Sequence, residues 1–331
     1  MRPQLFKTRM TELLGIRHPV LAGGLMWLAD GRYVGAVGRA GGIGFLTPRS
    51  FATTEIYRAE ICKARALAAG GPIGVNLYIS ARPEENEKLR GFLDVALEEG
   101  VRHFETAAYI PEKLIEPAKK AGAKIVHKCT MIRHALAAER IGVDAVILVG
   151  SECGGHPGMN EVPAMVLLAR AVEKLRIPVV VGGGIGTGRQ IAAALALGAD
   201  AVLLGTRMLV AEEIWAHEAY KQHLISLDEN CSTTVLSALK NTYRCLDNDT
   251  AREVRAMEAA GTLDYAAFGP RIKGTLTRES YVTGDWRKGI LSAGPAAVFA
   301  DKIEPVEAIF DRLLDEAAAH TKRLKALAVA A

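Results

Sequence analysis

Short apolar runs recur eight times in the first 206 residues: 19-PVLAGG-24, 43-IGFLTP-48, 73-IGVNLYI-79, 102-RHFETAA-108, 124-KIVHKCT-130, 145-AVILVG-150, 178-PVVVGGG-184 and 201-AVLLGT-206. Their starts lie 21 to 33 residues apart, room for a strand, a helix and two short loops. Helix-patterned segments fill the gaps, among them 83–100, 131–142, 163–175 and 188–198. The first opens on Pro83 and acidic residues and stops at Gly100, as a helix dipole and a C-terminal glycine require. Strands so uniformly apolar are buried on both faces, which points to parallel strands covered by helices. Eight such units predict a (β/α)8 barrel of the TIM type. A doubly wound open sheet is the competing fold. Its glycine fingerprint does not fit 182-GGGIGTG-188, where the required positions fall on Thr187 or Ile185.

After Met208 the rhythm stops. Residues 210–292 read as helices and irregular loops, including 249-DTAREVRAMEAAG-261, and 304–331 reads as one amphipathic helix. The expected organisation is a barrel from residues 1–209 and 293–331. A smaller, mainly helical cap, 210–292, is inserted after strand eight and lies over the mouth where barrel sites are built.

At 331 residues the chain can bury a large core. A formal net charge of +4, gathered in no basic run, argues against nucleic acid as a partner. No apolar run reaches the roughly 18 residues of a membrane span, and the charge-interrupted stretch 1–20 does not read as a signal peptide. Five scattered cysteines without a C-x-x-C pair suit reduced thiols, so a cytoplasmic protein is expected.

Residues at the C-terminal ends of barrel strands face the site. Strand one supplies Gly23 and Gly24, strand three Asn76 and strand five Lys128. Strand six leads into 150-GSECGGHPG-158 with His156, strand seven ends at Gly183 and Gly184, and strand eight at Gly205 and Thr206. The last two loops are the usual phosphate site of such barrels. Small residues there either bring backbone N–H groups to an anion or simply allow tight strand-to-helix turns. A helix starting near Gly188 adds its positive end, and Arg189 or Arg207 either adds charge or is a solvated helix residue. Lys128 lies in an apolar run, where an ammonium needs either an anionic ligand or a carboxylate such as Glu105. His156 on a glycine-flexed loop suits proton transfer or substrate polarisation near neutral pH. Cys153 and His156 lack a second pair at ligand spacing, so no metal site is expected. Cys153 reads as a packing residue.

The order 18-HPVLAGGLMW-27, 74-GVNL-77, 126-VHKCTMIRHALAAERIGVDAV-146, 152-ECGGHPG-158, 182-GGGIGTGR-189 and 205-GTR-207 resembles the nitronate monooxygenase superfamily of FMN-dependent barrels. HKCT-x-x-RHA with EC-x-GHPG most resembles its NAD(P)H:quinone reductase branch. Ala22, Leu25 and Val149 depart from that branch's pattern. The resemblance implies FMN as cofactor and NADH or NADPH as co-substrate. It places the phosphate on Gly183, Gly184, Gly205 and Thr206. Ala22, Gly23, Gly24, Asn76 and Lys128 would lie near the ring, Gly154 and Gly155 beside it, and His156 over its reactive face. The implied function is NAD(P)H:quinone reduction. Alternatives are oxidation of alkyl nitronates with O2, reduction of an activated C=C bond, and non-enzymatic binding of a phosphorylated metabolite. The expected partner is a small molecule, a quinone or a nitronate, and a homodimer is compatible with this reading.

Overall fold

The protein is described by a computed structural model covering residues 2–80, 83–110 and 112–328. Eight parallel strands close on themselves in sequence order. They are β1 (Val20–Ala22), β2 (Ile43–Leu46), β3 (Gly74–Ile79), β4 (His103–Ala108), β5 (Lys124–Cys129), β6 (Ala145–Val149), β7 (Val179–Gly182) and β8 (Ala201–Leu204). Closure is made by β1 on β8, with Leu21 opposite Leu203. Helix α1 (Arg9–Leu14) precedes the barrel, and α2 (Gly31–Arg39), α3 (Thr54–Leu67), α4 (Pro83–Glu98), α5 (Glu112–Lys120), α6 (Ile132–Arg140), α7 (Ala164–Lys174) and α8 (Gly188–Ala196) connect the strands. The expected (β/α)8 barrel is the observed one.

Strand alternation sorts the side chains into two cores. Leu21, Phe45, Val126, Ile147, Val180 and Leu203 point inward and pack together, and Met10, Leu14 and Ile16 join them from below. Helix α1 is therefore the floor of the barrel. It is latched there by Asp200, whose carboxylate binds the Arg9 guanidinium (2.7 and 2.9 Å) and accepts from Val179 N–H (2.9 Å). Outward residues such as Leu46, Val75, Leu148 and Val181 pack against the helices in the larger core. With the floor plugged, the C-terminal end of the strands is the open end.

Beyond β8 come α9 (Glu218–Ile225), β9 (Ser232–Val235), β10 (Tyr243–Leu246), α10 (Asp249–Ala259), α11 (Tyr265–Ile272), α12 (Gly274–Thr283) and finally α13 (Val306–Leu327). The expectation of helices holds for α9 to α12 but misses the antiparallel hairpin β9–β10, in which Arg244 pairs with Thr234. Val235, Cys245, Val254, Phe268 and Ile290 form a small apolar cluster of their own. Helix α13 returns to the barrel and lies against α8, so tightly that a Cβ on Gly188 would stand 2.1 Å from the Leu313 carbonyl oxygen. The expected run of the last helix to 331 extends over 329–331, outside the described residues. Among the described residues no helix is long and apolar enough to cross a membrane.

Candidate active site

On the β3–β5 side of the open end, three polar side chains share one oxygen. Asn76 and Glu105 are register partners, so both point inward at the same height. The Asn76 amide donates to Glu105 Oε1 at 2.6 Å, and the Lys128 ammonium forms an ion pair with the same atom. Glu105 is fully buried while Lys128 keeps 20% of its side chain accessible, so the pair runs from the barrel interior up to its mouth. An unpaired ammonium in this setting is costly, and Glu105 offsets that cost. The carboxylate alternative for Lys128 is thus realised, and its charge still reaches the open end. Gly24 passes directly over this group. A Cβ there would meet Asn76 Cβ at 2.6 Å and Thr47 Oγ1 at 2.8 Å, so only glycine fits. Two buried oxygens here have no protein partner among the described residues, Glu105 Oε2 and Thr47 Oγ1. The Gly23 N–H is committed to the Leu204 carbonyl (3.1 Å), and the Ala22 methyl belongs to the helix-facing core, away from the barrel axis.

Next to this group, on the strand paired with β5, the chain leaves β6 through a sequence of tight contacts. Gly150 abuts Ala164 N, which a Cβ would meet at 2.2 Å, and Gly154 lies flat on the Ala293 backbone. Gly155 has φ +91°, a conformation glycine adopts without strain. It exchanges two backbone hydrogen bonds with Arg244 of β10, Gly155 N–H to Arg244 O at 2.9 Å and Arg244 N–H to Gly155 O at 2.6 Å. His156 follows at once, its ring accessible and edge-to-face with Tyr243 at 4.7 Å and 88°. The crowding around it, mostly protein rather than water, lowers its pKa, against a raising hydrogen bond from the Asn241 side chain. The imidazole is therefore neutral at neutral pH. Burial pushes the neighbouring Cys153 thiol up to about 12, which keeps it protonated. Among the described residues no three His, Cys, Asp or Glu side chains are placed to hold a metal ion.

Beyond β6 round the barrel come the ends of β7 and β8. Gly183 (φ +101°) and Gly184 (φ +72°) turn the chain in the left-handed region. The N–H groups of Gly183, Gly184, Gly205 and Thr206 find no protein acceptor among the described residues, and a Cβ on Gly205 would point into open space. Four backbone donors at the ends of two neighbouring strands are thus left open, the kind of group that can receive an anion. The expected help from the helix and the arginines is not there. Thr187 and Gln190 cap α8 as a reciprocal box, Gln190 Oε1 takes the N–H groups of Gly186 and Thr187, and Glu316 takes the N–H of Gly188 at 2.7 Å. Arg189 is bound to the same Glu316 at 2.8 Å. Arg207 is buried against Glu304 at 3.2 Å. These groups serve packing, and the open donors are those of the glycine and Thr206 backbone. The hairpin residues Asn241, Tyr243 and Arg244 at His156 were not among the expected site residues. Nothing in their local sequence marks them, because the bond to Gly155 spans two parts of the chain.

The family model for nitronate monooxygenase matches residues 7–316, nearly the whole chain. The chain belongs to the nitronate monooxygenase family. It is 33% identical over 257 residues to a (3aS,4S,5R,7aS)-5-hydroxy-7a-methyl-1-oxo-octahydro-1H-indene-4-carboxyl-CoA dehydrogenase of Rhodococcus jostii, covering 78% of this chain and 69% of that protein. It is 30% identical to a probable nitronate monooxygenase of Staphylococcus saprophyticus, over 70% of this chain and 76% of that one. Among solved structures it is similar to FabK from Thermotoga maritima, with 31% identity, a TM-score of 0.88 and coverage of 98% and 100% of the two chains. It is likewise similar to a nitroalkane oxidase from Streptomyces ansochromogenes, with 26% identity, a TM-score of 0.80 and coverage of 95% and 99%. The family is one of oxidoreductases acting on small molecules.

Proposed function

We propose that this chain is an FMN-dependent oxidoreductase whose cofactor lies across the barrel mouth. The observation that carries the reading is the convergence, at one end of the barrel, of three elements: four open N–H groups on β7 and β8, the Asn76–Glu105–Lys128 group and the accessible, neutral His156. The residues fit the cofactor. Gly183, Gly184, Gly205 and Thr206 would hold its phosphate, Asn76 and Lys128 its polar ring edge, and Gly24, Gly154 and Gly155 would give its ring close approach to backbone. The chemistry FMN supplies when bound is the exchange of hydride or single electrons with an organic molecule. Lys128 contributes a cation whose direction is fixed by Glu105, which favours negative charge at the mouth. His156, neutral and held on a rigid loop, hydrogen-bonds the substrate or takes its proton. Residues 210–292 shape the substrate side of the mouth through the hairpin, over a barrel of residues 1–209 and 293–331.

The motif pair HKCT-x-x-RHA and EC-x-GHPG favours NADH or NADPH as electron donor and a quinone as acceptor. A second reading is oxidation of a CoA ester, favoured by the names of two relatives 32–33% identical to this chain, in Rhodococcus jostii and Mycobacterium tuberculosis. The test is anaerobic stopped-flow absorbance of the FMN-loaded protein mixed separately with NADH, NADPH, an alkyl nitronate and a hydroxyacyl-CoA. Bleaching by a nicotinamide and recovery with benzoquinone is the expected result. Bleaching by nitronate alone replaces it with nitronate oxidation, and bleaching by the CoA ester alone establishes the second reading. A protein that takes up no FMN overturns all three. His156→Asn is expected to lower turnover by about 10²–10⁴-fold with FMN uptake unchanged.

A further inference from the structure

The β9–β10 hairpin meets His156 through more than its backbone. Arg244, already paired with Gly155, sends its guanidinium to the Ser151 carbonyl (Nε, 2.7 Å) and to Ser232 Oγ (Nη1, 3.3 Å). The loop from β6 is thereby fixed on both sides of its turn, at Ser151 and at Gly155. One residue earlier on the strand, Tyr243 presents its ring to the imidazole at 4.7 Å and 88°. Tyr243 is itself tied, its hydroxyl hydrogen-bonded to Ser292 Oγ. Burial pushes that hydroxyl up to about 12, so it stays a neutral O–H. Ser292 belongs to a strap that cannot drift. The Gly294 N–H donates to Thr206 Oγ1 (3.0 Å), and a Cβ on Gly294 would stand 2.1 Å from the Glu152 carbonyl oxygen. The strap thus links the end of β8, the β6 loop and Tyr243.

The geometry points to Tyr243 as the positioning residue of His156, with Ser292 fixing Tyr243 in turn. An accessible histidine on a glycine-rich loop would sample several rotamers, and orienting it in advance spares that ordering during turnover. The T-shaped ring contact sets the plane of the imidazole, and the Ser292 bond keeps the tyrosine ring from swinging out of reach. For the chemistry of His156 this rests on the proposed function, whereas the ring's placement stands apart from it.

The experiment is carbon-13 NMR of the full, FMN-loaded chain labelled at histidine Cε1, with the His156 signal assigned by its loss in His156→Gln. His223, stacked on Trp286 at 3.5 Å, serves as the internal control. In Tyr243→Leu, which leaves Asn241 as the ring's remaining partner, the His156 signal is expected to shift from its wild-type position while His223 stays in place. Turnover in the same variant is expected to fall about tenfold, with KM little changed. Tyr243→Phe keeps the ring and is expected to leave the His156 signal near its wild-type position but broadened, and Ser292→Ala to do the same. An unmoved His156 signal in Tyr243→Leu overturns the assignment. If that variant does not fold, wild-type signals in both Tyr243→Phe and Ser292→Ala overturn it. Failure of FMN uptake by the wild-type chain would refute the proposed function alone, since the His156 signal is read equally without flavin.

Discussion

Lys128 shows how a single side chain can be half legible. Its place in an apolar run required a counter-charge, and both a ligand and Glu105 met that requirement. The register of β3, β4 and β5 decides for Glu105, with Asn76 on the same oxygen. No local pattern could decide it, because the three residues lie on three different strands and meet only when β3, β4 and β5 pair in register. The pair has an energetic consequence. Removing one partner of a buried ion pair costs about 3–5 kcal/mol because the other charge is stranded. Lys128 retains 20% accessibility and recovers some hydration, so Glu105→Leu is expected to cost nearer about 2 kcal/mol. Glu105→Gln, which still accepts from Asn76 and Lys128, is expected to cost less. Urea denaturation of the three proteins checks this, and equal midpoints for wild type and Glu105→Leu would show the pair to be energetically idle.

At the scale of elements, period carried the most information. Eight apolar runs gave every barrel strand to within a few residues, and the four helical segments named between them match α4, α6, α7 and α8, since burial on both faces leaves little freedom in strand composition. The hairpin escaped because 232-STTV-235 and 243-YRCL-246 are four residues each, half-buried, and joined by a loop in which Leu236 and Lys240 take positive φ without glycine. The glycines after β7 divide by context in the same way. Gly183 and Gly184 turn with positive φ against the loop after β6, where a Cβ would meet Gly150 N at 3.1 Å and Glu152 Cβ at 3.2 Å, whereas Gly186 meets the Phe299 ring and Gly188 the α13 backbone, partners more than a hundred residues away. A glycine run reads as a phosphate loop until its neighbours are known. Gly188→Ala is therefore expected to wedge α13 off α8. Its Cβ would meet the Leu313 carbonyl oxygen at 2.1 Å and Ala317 N at 2.6 Å, both backbone atoms that cannot rotate away. Overpacking of this kind costs about 1–3 kcal/mol, and the upper end is expected here. Thermal unfolding measures it, and retention of the wild-type Tm would mean that α13 is free to shift.

For the molecule as a whole, the histidines set the response to acid. Of the eight, six are lowered with burial as the leading cause: His18, His103, His127, His134, His156 and His223. Two of them, His18 and His127, fall to about 4 and are shielded almost completely from solvent. His127 shares a 2.9 Å hydrogen bond with Thr106, while neither ring nitrogen of His18 has a protein partner among the described residues. Only His156 among the six had a functional reason to be noticed in the sequence. Burial of the others follows from helix packing that no short motif encodes. A histidine lowered in the folded state binds its proton mainly after unfolding. Stability is therefore full above the ordinary histidine pKa of about 6.5 and is lost as pH falls from there toward the folded values. At about 1.4 kcal/mol per pKa unit, His18 and His127 can each withdraw on the order of 2–3 kcal/mol by pH 4. Carboxylates remain largely ionised above about pH 5, so the decline between about 6.5 and 5 belongs to the imidazoles. The expected result is a Tm that drops steadily across that window, with a shallower slope in His18→Leu, which removes one buried protonation site without stranding a partner. Identical slopes in the two proteins would mean that His18 reaches solvent in the folded state.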